Sequence, residues 1–398
     1  MPTTLARAGQ ALPARVDLCL TPERMLPGHR FHPLFGGGEA YPAMLEAIAS
    51  ATQEILVETY IWADDGNGRR FLDAVCIKAQ EGVKVRCIID GAGSFGFSGA
   101  AIGRMRDAGV QLSIFHPVGP WRRRWGWQVR DHRKLLVVDG RVAFAGGMNF
   151  SDDYAPVSWG GRGWNDAHAR VEGPAVRELE RLFEISWRYA APETWTPAGR
   201  HRPVHDHPPP VAIHGSPTRV QAVAVGRWLA RHAIQHQFQH AMSHARERIW
   251  IQSAYFVPNR TLRGALRRAA RRGVDVRVML PRHSDVPGIG HASRATWGTL
   301  LRAGIHIYEW LPTMLHSKTL AIDGRWSTIG SYNLDQRSFA YNWELTLAVL
   351  DGEVAERLEE RFRQDLQQCE EIEAARFLRR GLWLRLLERF FYFFRLWL

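Results

Sequence analysis

The stretch Ile55-Leu-Val-Glu-Thr-Tyr-Ile-Trp62 is an apolar, β-rich run. A helical segment through Ala79 follows it, and then comes a second β-rich run, Gly82-Val-Lys-Val-Arg-Cys-Ile-Ile-Asp90. This order of strand, amphipathic helix and strand predicts a βαβ unit. Such units favour a parallel or mixed sheet with helices on both faces. We therefore expect an α/β fold.

The same architecture occurs a second time in the chain. Ile249-Trp-Ile-Gln-Ser-Ala-Tyr-Phe256 is followed by a helical segment from Leu262 to Arg272 and by Gly273-Val-Asp-Val-Arg-Val-Met-Leu280. A period of about 190 residues is too long for a solenoid and indicates duplication into two similar lobes. Each lobe should hold a mixed β-sheet flanked by helices.

The stretch between the repeats is rich in proline and histidine, which is typical of a linker. The predicted division of the chain is an N-terminal segment (1–30), a first lobe (31–190), the linker (191–217), a second lobe (218–375) and a C-terminal amphipathic helix (376–398).

Composition limits the classes of protein to consider. The chain has 398 residues with 45% hydrophobic and 23% charged content, so it can form more than one core and is not wholly disordered. The net charge of +12 favours anionic partners. The four cysteines show no metal-ligand spacing and fit a reducing compartment. We expect neither a signal peptide nor a membrane-spanning helix.

A motif that can carry chemistry follows each βαβ unit with identical spacing, HxKx4Dx6GxxN. The histidine and lysine precede an apolar run that should form a strand, and their i, i+2 spacing places both side chains on one face of the sheet. The first copy comprises His132, Lys134, Asp139 and Asn149, and the second comprises His316, Lys318, Asp323 and Asn333.

These residue types suit displacement at a phosphodiester. One histidine can attack phosphorus, and a second can protonate the leaving oxygen. Lysine and asparagine side chains can hold the non-bridging oxygens. Two of the chain's four lysines, Lys134 and Lys318, occupy the motifs, whereas arginine fills almost every other basic position. We therefore expect a compact ammonium to be required beside phosphorus.

The duplicated HxKx4D motif resembles the signature of the phospholipase D superfamily. The flanking sequences are similar to its bacterial cardiolipin synthase branch, in the forms that lack N-terminal membrane spans. They are Asp166-Ala-His-Ala-Arg-Val-Glu-Gly-Pro174, Tyr255-Phe-Val-Pro258, Leu315-His-Ser-Lys-Thr319, Gly330-Ser-Tyr-Asn-Leu-Asp-Gln-Arg-Ser338 and Asn342-Trp-Glu344.

The resemblance implies that two lobes bring both motifs into one pseudo-twofold active site, without a metal ion or other cofactor. It also implies that an acidic residue after each GxxN orients a histidine. Glu344 fits that role in the second half and Asp166 in the first half. The family's first copy more often supplies the nucleophile, so we predict His132 as nucleophile and His316 as acid/base.

The remaining motif positions also receive roles. Asp139 and Asp323 belong to the catalytic signature, although we expect them to support their strands. Asn149, Asn333 and Ser331 are predicted to bind the substrate phosphate. Gly147 replaces the serine in the first copy, and we expect this to remove one possible phosphate contact and nothing essential.

The C-terminus predicts a helix that lies in a membrane interface. From Leu382 onwards, apolar and aromatic residues surround one polar stripe. The residues expected to face the membrane are Trp383, Phe390, Phe391, Phe394 and Trp397. The alternatives are a terminal helix packed on the protein body and a basic-aromatic loop, Trp121–Trp127, at the mouth of the cleft.

The function expected from these features is that of a cardiolipin synthase, which transfers a phosphatidyl group to phosphatidylglycerol through a phosphatidyl-histidine. The alternatives are hydrolysis by a phospholipase D or nuclease, and a non-catalytic membrane-binding protein. We expect phosphatidylglycerol and an anionic membrane as partners, no nucleic acid, and a peripheral position on the cytoplasmic face of a bacterial membrane. The phosphatidyl donor (phosphatidylglycerol or phosphatidylethanolamine) and the oligomeric state stay open.

Overall fold

A computed structural model describes residues 25–118, 128–190, 207–226 and 232–396 of the protein. The first half of the chain forms one sheet with its helices, which we call the first lobe. Its elements are β1 (Arg30–Phe35), α1 (Gly37–Ala49), β2 (Glu54–Thr59), α2 (Gly66–Gln80), β3 (Lys84–Asp90), α3 (Gly99–Asp107), β4 (Gln111–Phe115), β5 (Leu135–Val138), β6 (Val142–Gly146), β7 (Ala167–Glu172) and α4 (Ala175–Ala190).

The second half forms another sheet with its helices, the second lobe, and ends in two short helices. Its elements are β8 (Arg219–Val225), α5 (Ala233–His244), β9 (Arg248–Ser253), α6 (Arg260–Arg271), β10 (Asp275–Pro281), α7 (Ile289–Leu301), β11 (His306–Trp310), β12 (Lys318–Ile322), β13 (Trp326–Gly330), α8 (Gln336–Ala340), β14 (Glu344–Leu350), α9 (Gly352–Leu366), β15 (Cys369–Glu371), α10 (Ala374–Leu378) and α11 (Leu382–Phe393).

The two sheets have the same strand order. In the described residues the first sheet runs β1-β7-β6-β5-β2-β3-β4, and the second runs β8-β14-β13-β12-β9-β10-β11 with β15 added at its edge. In each sheet the βαβ strands pair in parallel, while the strand after the motif pairs antiparallel to its neighbours. The predicted fold class, two similar α/β lobes with mixed sheets, is confirmed; the domain boundaries stay a prediction.

Local sequence accounts for the repeated βαβ units. The side chain of Asp65 caps α2 by accepting from the Gly68 N–H, and Asn259 caps α6 by accepting from the Leu262 N–H. Gly82 and Gly273 each follow the end of the helix with φ near +90°, a conformation that glycine adopts at no steric cost. The chain thereby returns to the sheet at the same point in both lobes.

An apolar cluster joins the lobes. Leu135 and Val137 of β5 belong to the same buried cluster as Leu345 and Leu347 of β14. Arg133 lies beside this cluster with no exposed surface. Its Nη1 donates to Ser186 Oγ in the first lobe at 2.9 Å, and its Nη2 donates to the Val225 carbonyl in the second lobe at 2.9 Å. The lobes are therefore held together immediately beside the first motif.

The C-terminal helix α11 packs on α7 and differs in one respect from the sequence expectation. Trp383, Phe390 and Phe394 are exposed, as predicted, but Phe391 turns inward and stacks on His291 with ring centroids 5.2 Å apart. Its position on the helix, three residues after the buried Glu388, places it on the inner face. Trp397 and the loop Trp121–Trp127 lie outside the described residues.

Candidate active site

The two motifs meet between the lobes. His132 and Lys134 lie immediately before β5, whereas Lys318 is the first residue of β12 and His316 lies two residues before it. Each of these four side chains is at least nine-tenths buried. The positive charge of each lysine lowers the pKa of the other lobe's histidine, so the motifs act on one another across the interface.

Each histidine is oriented by a carboxylate from the opposite lobe. The Nδ1 of His132 lies 3.0 Å and 3.1 Å from the two carboxylate oxygens of Glu344. The Nδ1 of His316 lies 2.7 Å from Oδ2 of Asp166. A carboxylate only accepts, so Nδ1 of His132 carries the hydrogen and its Nε2 presents a lone pair.

The crossed pairing corrects the expectation that Glu344 serves the second-half histidine and Asp166 the first-half histidine. Its cause is a pair of parallel β-bridges between the lobes, Asp131 with Trp343 and Asn165 with Leu315. The His132 N–H donates to the Trp343 carbonyl at 2.9 Å, and the His316 N–H donates to the Asn165 carbonyl at 2.7 Å. His132 and Glu344 directly follow the two residues of the first bridge, so they lie side by side. Asp166 and His316 follow the second bridge in the same way.

Three side chains support the Glu344 carboxylate. Ser331 Oγ donates to Oε2, while Ser338 Oγ and Asn342 Nδ2 donate to Oε1 at 2.8 Å and 3.2 Å. Burial alone would raise the pKa of Glu344, but His132, Lys134 and the Ser331 hydroxyl bring that pKa below its ordinary value. Glu344 is therefore an anion when it faces His132.

Asp166 occupies a different environment. Gly147 matches Ser331 in the repeat, and a Cβ at Gly147 would lie 2.2 Å from Asp166 Oδ1. The first lobe thus has an aspartate against a glycine where the second lobe has a glutamate against a serine. Burial raises the pKa of Asp166 to about 6, although Lys318 and the Ala167 N–H oppose the rise. The carboxylate facing His316 therefore holds its charge less firmly than Glu344.

Burial shifts the histidines and lysines toward their neutral forms. It lowers the pKa of His132 to about 4 and that of His316 well below its ordinary value. It also lowers the pKa of Lys134 to about 7 and that of Lys318 to about 8. Neutral His132 beside partly charged lysine is the state that a nucleophilic nitrogen requires. An acid at His316 requires the imidazolium form, which the Asp166 carboxylate beside its Nδ1 favours.

Two of the three predicted phosphate ligands, Asn149 and Ser331, make side-chain hydrogen bonds to other protein groups. Asn149 accepts from the Ile61 N–H at 3.1 Å and donates to the Tyr154 hydroxyl at 2.7 Å. The Ser331 hydroxyl donates to Glu344, so it is committed to positioning that acid. Asn333 Oδ1 is buried, and no described residue hydrogen-bonds to it.

Asp139 and Asp323 lie at the far end of the motif strand. Asp139 is five residues from Lys134 along extended chain, about 16 Å at ~3.3 Å per residue. Its carboxylate accepts from the N–H groups of Thr52, Gln53 and Glu54 at 2.8–2.9 Å. Asp323 accepts from three consecutive N–H groups, 246–248, in the same way.

The two aspartates also form the hairpin turns. Both have positive φ (50° for Asp139 and 53° for Asp323), and each is followed by a glycine with positive φ. Two successive residues of positive φ are what a type I′ turn requires. The geometry gives these members of the signature a structural position rather than one beside the histidines.

Aromatic side chains that lie outside the repeated motif surround the histidines. The Tyr60 ring is 5.1 Å from the His132 ring, and Lys134 Nζ lies 5.2 Å from the Tyr60 centroid. Tyr154 and Trp164 lie 5.3 Å and 5.7 Å from the His316 ring. No pattern in the sequence indicated these three residues, because none of them recurs at a matched position in both copies.

Tyr255 and Asp285 form a second group that the sequence did not reveal. The Tyr255 ring lies 6.2 Å from the His316 ring, and its hydroxyl donates to Asp285 at 2.8 Å. Asp285 is exposed and acts to raise the pKa of His316 against the effect of burial. The quoted motif Tyr255–Pro258 contained this tyrosine, but its partner lies thirty residues further on.

Two features are absent from the described segments. No group of three or more His, Cys, Asp or Glu residues there is placed to hold a metal ion. No helix in those segments has the length and apolar character needed to cross a bilayer.

The repeated lobes and the shared His–Lys site define a member of the phospholipase D superfamily, and that prediction is confirmed. More narrowly, the chain belongs to the family described as "Cardiolipin synthase, PLD-like domain", whose pattern matches residues 44–187 and 238–366. The two matched segments contain both copies of the motif and both histidine-orienting acids.

Curated relatives give the same result. The chain is 33% identical over 357 residues to "Probable cardiolipin synthase YwiE" of Bacillus subtilis (strain 168), covering 90% of this chain and 70% of that protein. It is 34% identical over 339 residues to "Cardiolipin synthase A" of Pseudomonas syringae pv. syringae (strain B728a), covering 85% of this chain and 69% of the relative.

Solved structures resemble this chain in fold. The phosphatidylserine synthase of Haemophilus influenzae Rd KW20 superimposes with a TM-score of 0.74 at 14% identity, over 96% of this chain and 100% of that one. The polyphosphate kinase of Porphyromonas gingivalis superimposes with a TM-score of 0.59 at 15% identity, over 87% of this chain and 49% of the kinase.

Proposed function

We propose that the protein is a cardiolipin synthase that transfers a phosphatidyl group from a phospholipid donor to phosphatidylglycerol. The observation that carries this proposal is the pair of buried histidines, each held at Nδ1 by a carboxylate of the opposite lobe, in a chain about one-third identical to cardiolipin synthases over most of its length. The substrate class follows from the relatives, and the chemistry follows from the site.

In the first step, His132 Nε2 attacks the phosphorus of the donor. A P–N bond forms as the bond from phosphorus to the headgroup oxygen breaks. That oxygen leaves as an alcohol with a proton from His316. Glu344, which is anionic and accepts from His132 Nδ1, stabilises the cationic phosphatidyl-histidine. The firm charge of Glu344, compared with that of Asp166, supports His132 as the nucleophile.

In the second step, a hydroxyl of phosphatidylglycerol attacks the phosphorus. His316 takes the hydroxyl proton, the new P–O bond forms and the P–N bond breaks, which restores His132. Cardiolipin is released, so the donor headgroup alcohol is the only other product. When phosphatidylglycerol is the donor, that alcohol is glycerol.

Lys134 and Lys318 neutralise the non-bridging oxygens during both steps. Both ammonium groups are buried, and each donates to the carbonyl oxygen of the histidine in its own motif. Charge of this kind inside a water-excluded site stabilises a transition state strongly. Asn149 and Asn333 are still proposed to donate to the phosphate. An amide nitrogen carries two hydrogens, and Asn149 uses one for Tyr154, so the other can reach the phosphate. Ser331 acts instead as a positioning residue for Glu344.

The proposed location is peripheral, on the cytoplasmic face of a bacterial membrane, where both substrates reside. Relatives named for cardiolipin synthesis support a protein that works at a membrane. Phosphatidylglycerol and the anionic membrane are the proposed partners.

The deciding experiment incubates purified protein with vesicles of labelled phosphatidylglycerol and separates the products. Cardiolipin with an equal amount of glycerol is expected, and addition of phosphatidylethanolamine shows by ethanolamine release whether it also serves as donor. Phosphatidic acid as the main product would mean that the protein acts as a phospholipase D and not as a transferase.

The same mixture, quenched with acid during turnover, should hold lipid phosphorus on His132. His132→Ala and His316→Ala should each abolish turnover without loss of fold. A loss of only two- to threefold for either variant would rule out the two-histidine mechanism, and label on His316 alone would reverse the two roles.

A further inference from the structure

The C-terminal helix α11 exposes its apolar side. Trp383 is 85% exposed, Phe393 75% and Leu382 73%, and Leu386 and Phe390 are each more than half exposed. A helix at the surface of a soluble domain buries such a face and exposes its charges. A contiguous apolar patch of this kind marks a surface for another partner.

The opposite side of α11 packs on α7 of the second lobe and carries a buried charge. Glu388 is 2% exposed, and its carboxylate accepts from Arg380 Nη2 at 3.0 Å. Phe391 fits over Gly288, where a Cβ would come within 2.5 Å of the ring, and stacks on His291. The helix is therefore seated by its inner face, and its apolar outer face is not a consequence of loose packing.

We propose that this outer face of α11 docks on an anionic phospholipid bilayer. The occupant is indicated by charge: between residues 374 and 396 the only acidic residue is Glu388, which is buried and paired. Arg376, Arg379, Arg385 and Arg389 are all exposed. An apolar strip flanked by cations alone matches acyl chains beneath a layer of phosphates.

The docked helix also fixes the bilayer next to the active site. The loop 282–288 leads into α7, and its last residue, Gly288, lies under Phe391. Asp285 of this loop accepts from the Tyr255 hydroxyl, and the Tyr255 ring faces His316. A membrane held against α11 therefore meets the rim of the cleft, where lipid headgroups must enter. This role in substrate delivery rests on the proposed function.

The test compares three forms of the full-length protein by co-sedimentation with vesicles of phosphatidylglycerol and phosphatidylcholine. The outer-face variant carries Trp383→Ser, Phe390→Ser and Phe393→Ser. The matched control carries Phe95→Ser and Val211→Ser, which remove apolar side chains that are 77% and 80% exposed outside the C-terminal segment. Equal thermal melting shows that all forms are folded.

The outer-face variant should lose at least tenfold in partition coefficient, while the control binds like the wild type. A charge variant, Arg385→Gln with Arg389→Gln, should lose binding to anionic vesicles and leave weak binding to pure phosphatidylcholine unchanged. Equal sedimentation of the outer-face variant and the wild type would overturn the proposal. So would conversion of a dimer to a monomer with vesicle binding intact, because the face would then serve a second copy.

Turnover of a short-chain, dispersed phosphatidylglycerol separates this proposal from the proposed function. The outer-face variant should keep wild-type turnover of this substrate and lose turnover only on vesicles. A wild-type protein that binds vesicles through α11 yet forms no cardiolipin would contradict the proposed function and leave the docking surface standing.

Discussion

Asp166 and His316 are 150 positions apart in the chain and belong to different lobes, yet Oδ2 of the aspartate lies 2.7 Å from Nδ1 of the histidine. Glu344 and His132 form the reciprocal pair. Neither lobe therefore supplies both the motif histidine and the acid that holds it, and the duplicated chain makes one site from two incomplete halves. Catalysis must depend on the fit of the lobes as much as on the motif residues.

A substrate with a good leaving group distinguishes the roles of the two crossed pairs. Phosphatidyl p-nitrophenol needs no protonation of its leaving oxygen, so the acid role of His316 becomes dispensable in the first step. With it, Asp166→Asn should regain a near wild-type burst of p-nitrophenol, whereas Glu344→Gln should stay slower by roughly 10²-fold or more. On phosphatidylglycerol both variants should be slow. Rescue of Glu344→Gln alone would contradict crossed pairing with His132 as nucleophile.

The sequence and the structure predict different effects for a serine at position 147. The sequence treats it as a lost serine, so restoring Ser should be harmless. The structure shows that a Cβ there would lie 2.2 Å from Asp166 Oδ1. Gly147→Ser should therefore displace Asp166 and lower kcat by about 10²-fold, a size typical of lost acid–base catalysis.

The matched change in the other lobe should be milder. Ser331→Gly removes one of three donors to Glu344 and leaves Ser338 and Asn342 in place. We expect kcat to fall by about tenfold for Ser331→Gly, with both variants measured on dispersed short-chain phosphatidylglycerol. A Gly147→Ser protein as active as the wild type would show that the aspartate can shift without cost.

The sequence predicted the fold because the repeat places the same pattern of strand, helix and motif in each half. It also singled out the two histidines, two lysines and two acids that the structure brings together, and their catalytic roles stay a prediction. It assigned each acid to its own half because the pairing depends on the bridges at Asp131 and Asn165, which form only when the lobes pack. Sequence spacing carries no information about a contact between two separately folded sheets.

The same limit applies to orientation at the C-terminus. Helical periodicity identified a polar stripe on α11 but could not say whether that stripe faces water or protein. Glu388 faces protein because Arg380, eight positions earlier, reaches it. Phe391, three residues later, also faces the protein. The sequence alone predicted that it faces the membrane, because it is aromatic.

The two lysines should determine the alkaline limb of the pH profile. Burial lowers the pKa of Lys134 to about 7 and that of Lys318 to about 8. The ammonium form exists below each pKa and is lost as the pH rises through it, so kcat/KM should fall above about pH 7. In Lys134→Arg the guanidinium stays charged. Its maximum should be lower, and its alkaline limb should move towards pH 8. A wild-type profile that stays flat to pH 10 would contradict this assignment.

Activity should survive removal of divalent metal ions. The charge on the phosphate is met by Lys134 and Lys318, with amide contacts from Asn149 and Asn333, in the proposed mechanism. Turnover of dispersed phosphatidylglycerol in excess EDTA is expected to equal turnover in untreated buffer. Loss of activity on chelation, restored by one added metal ion, would mean that a cation shares the role assigned to the lysines.

Asp139 separates a structural role from a catalytic one. Its carboxylate accepts four hydrogen bonds, three from backbone N–H groups at the start of β2 and one from the Thr52 hydroxyl. Asp139→Ala leaves these donors unpaired and strains a turn of positive φ, so the free energy of unfolding in urea should fall by about 2–4 kcal/mol.

The folded fraction of Asp139→Ala should keep at least half of the wild-type kcat, because the side chain lies about 16 Å from Lys134 along the strand. Asp107→Ala is the matched control, since this aspartate is exposed at the end of α3, and its effect on unfolding should stay within about 0.5 kcal/mol. A fully stable Asp139→Ala protein with a hundredfold lower kcat would show that Asp139 takes part in catalysis. That result is not expected, because the two oxygens of Asp139 are already occupied by the segment 52–54, which leads into the strand β2.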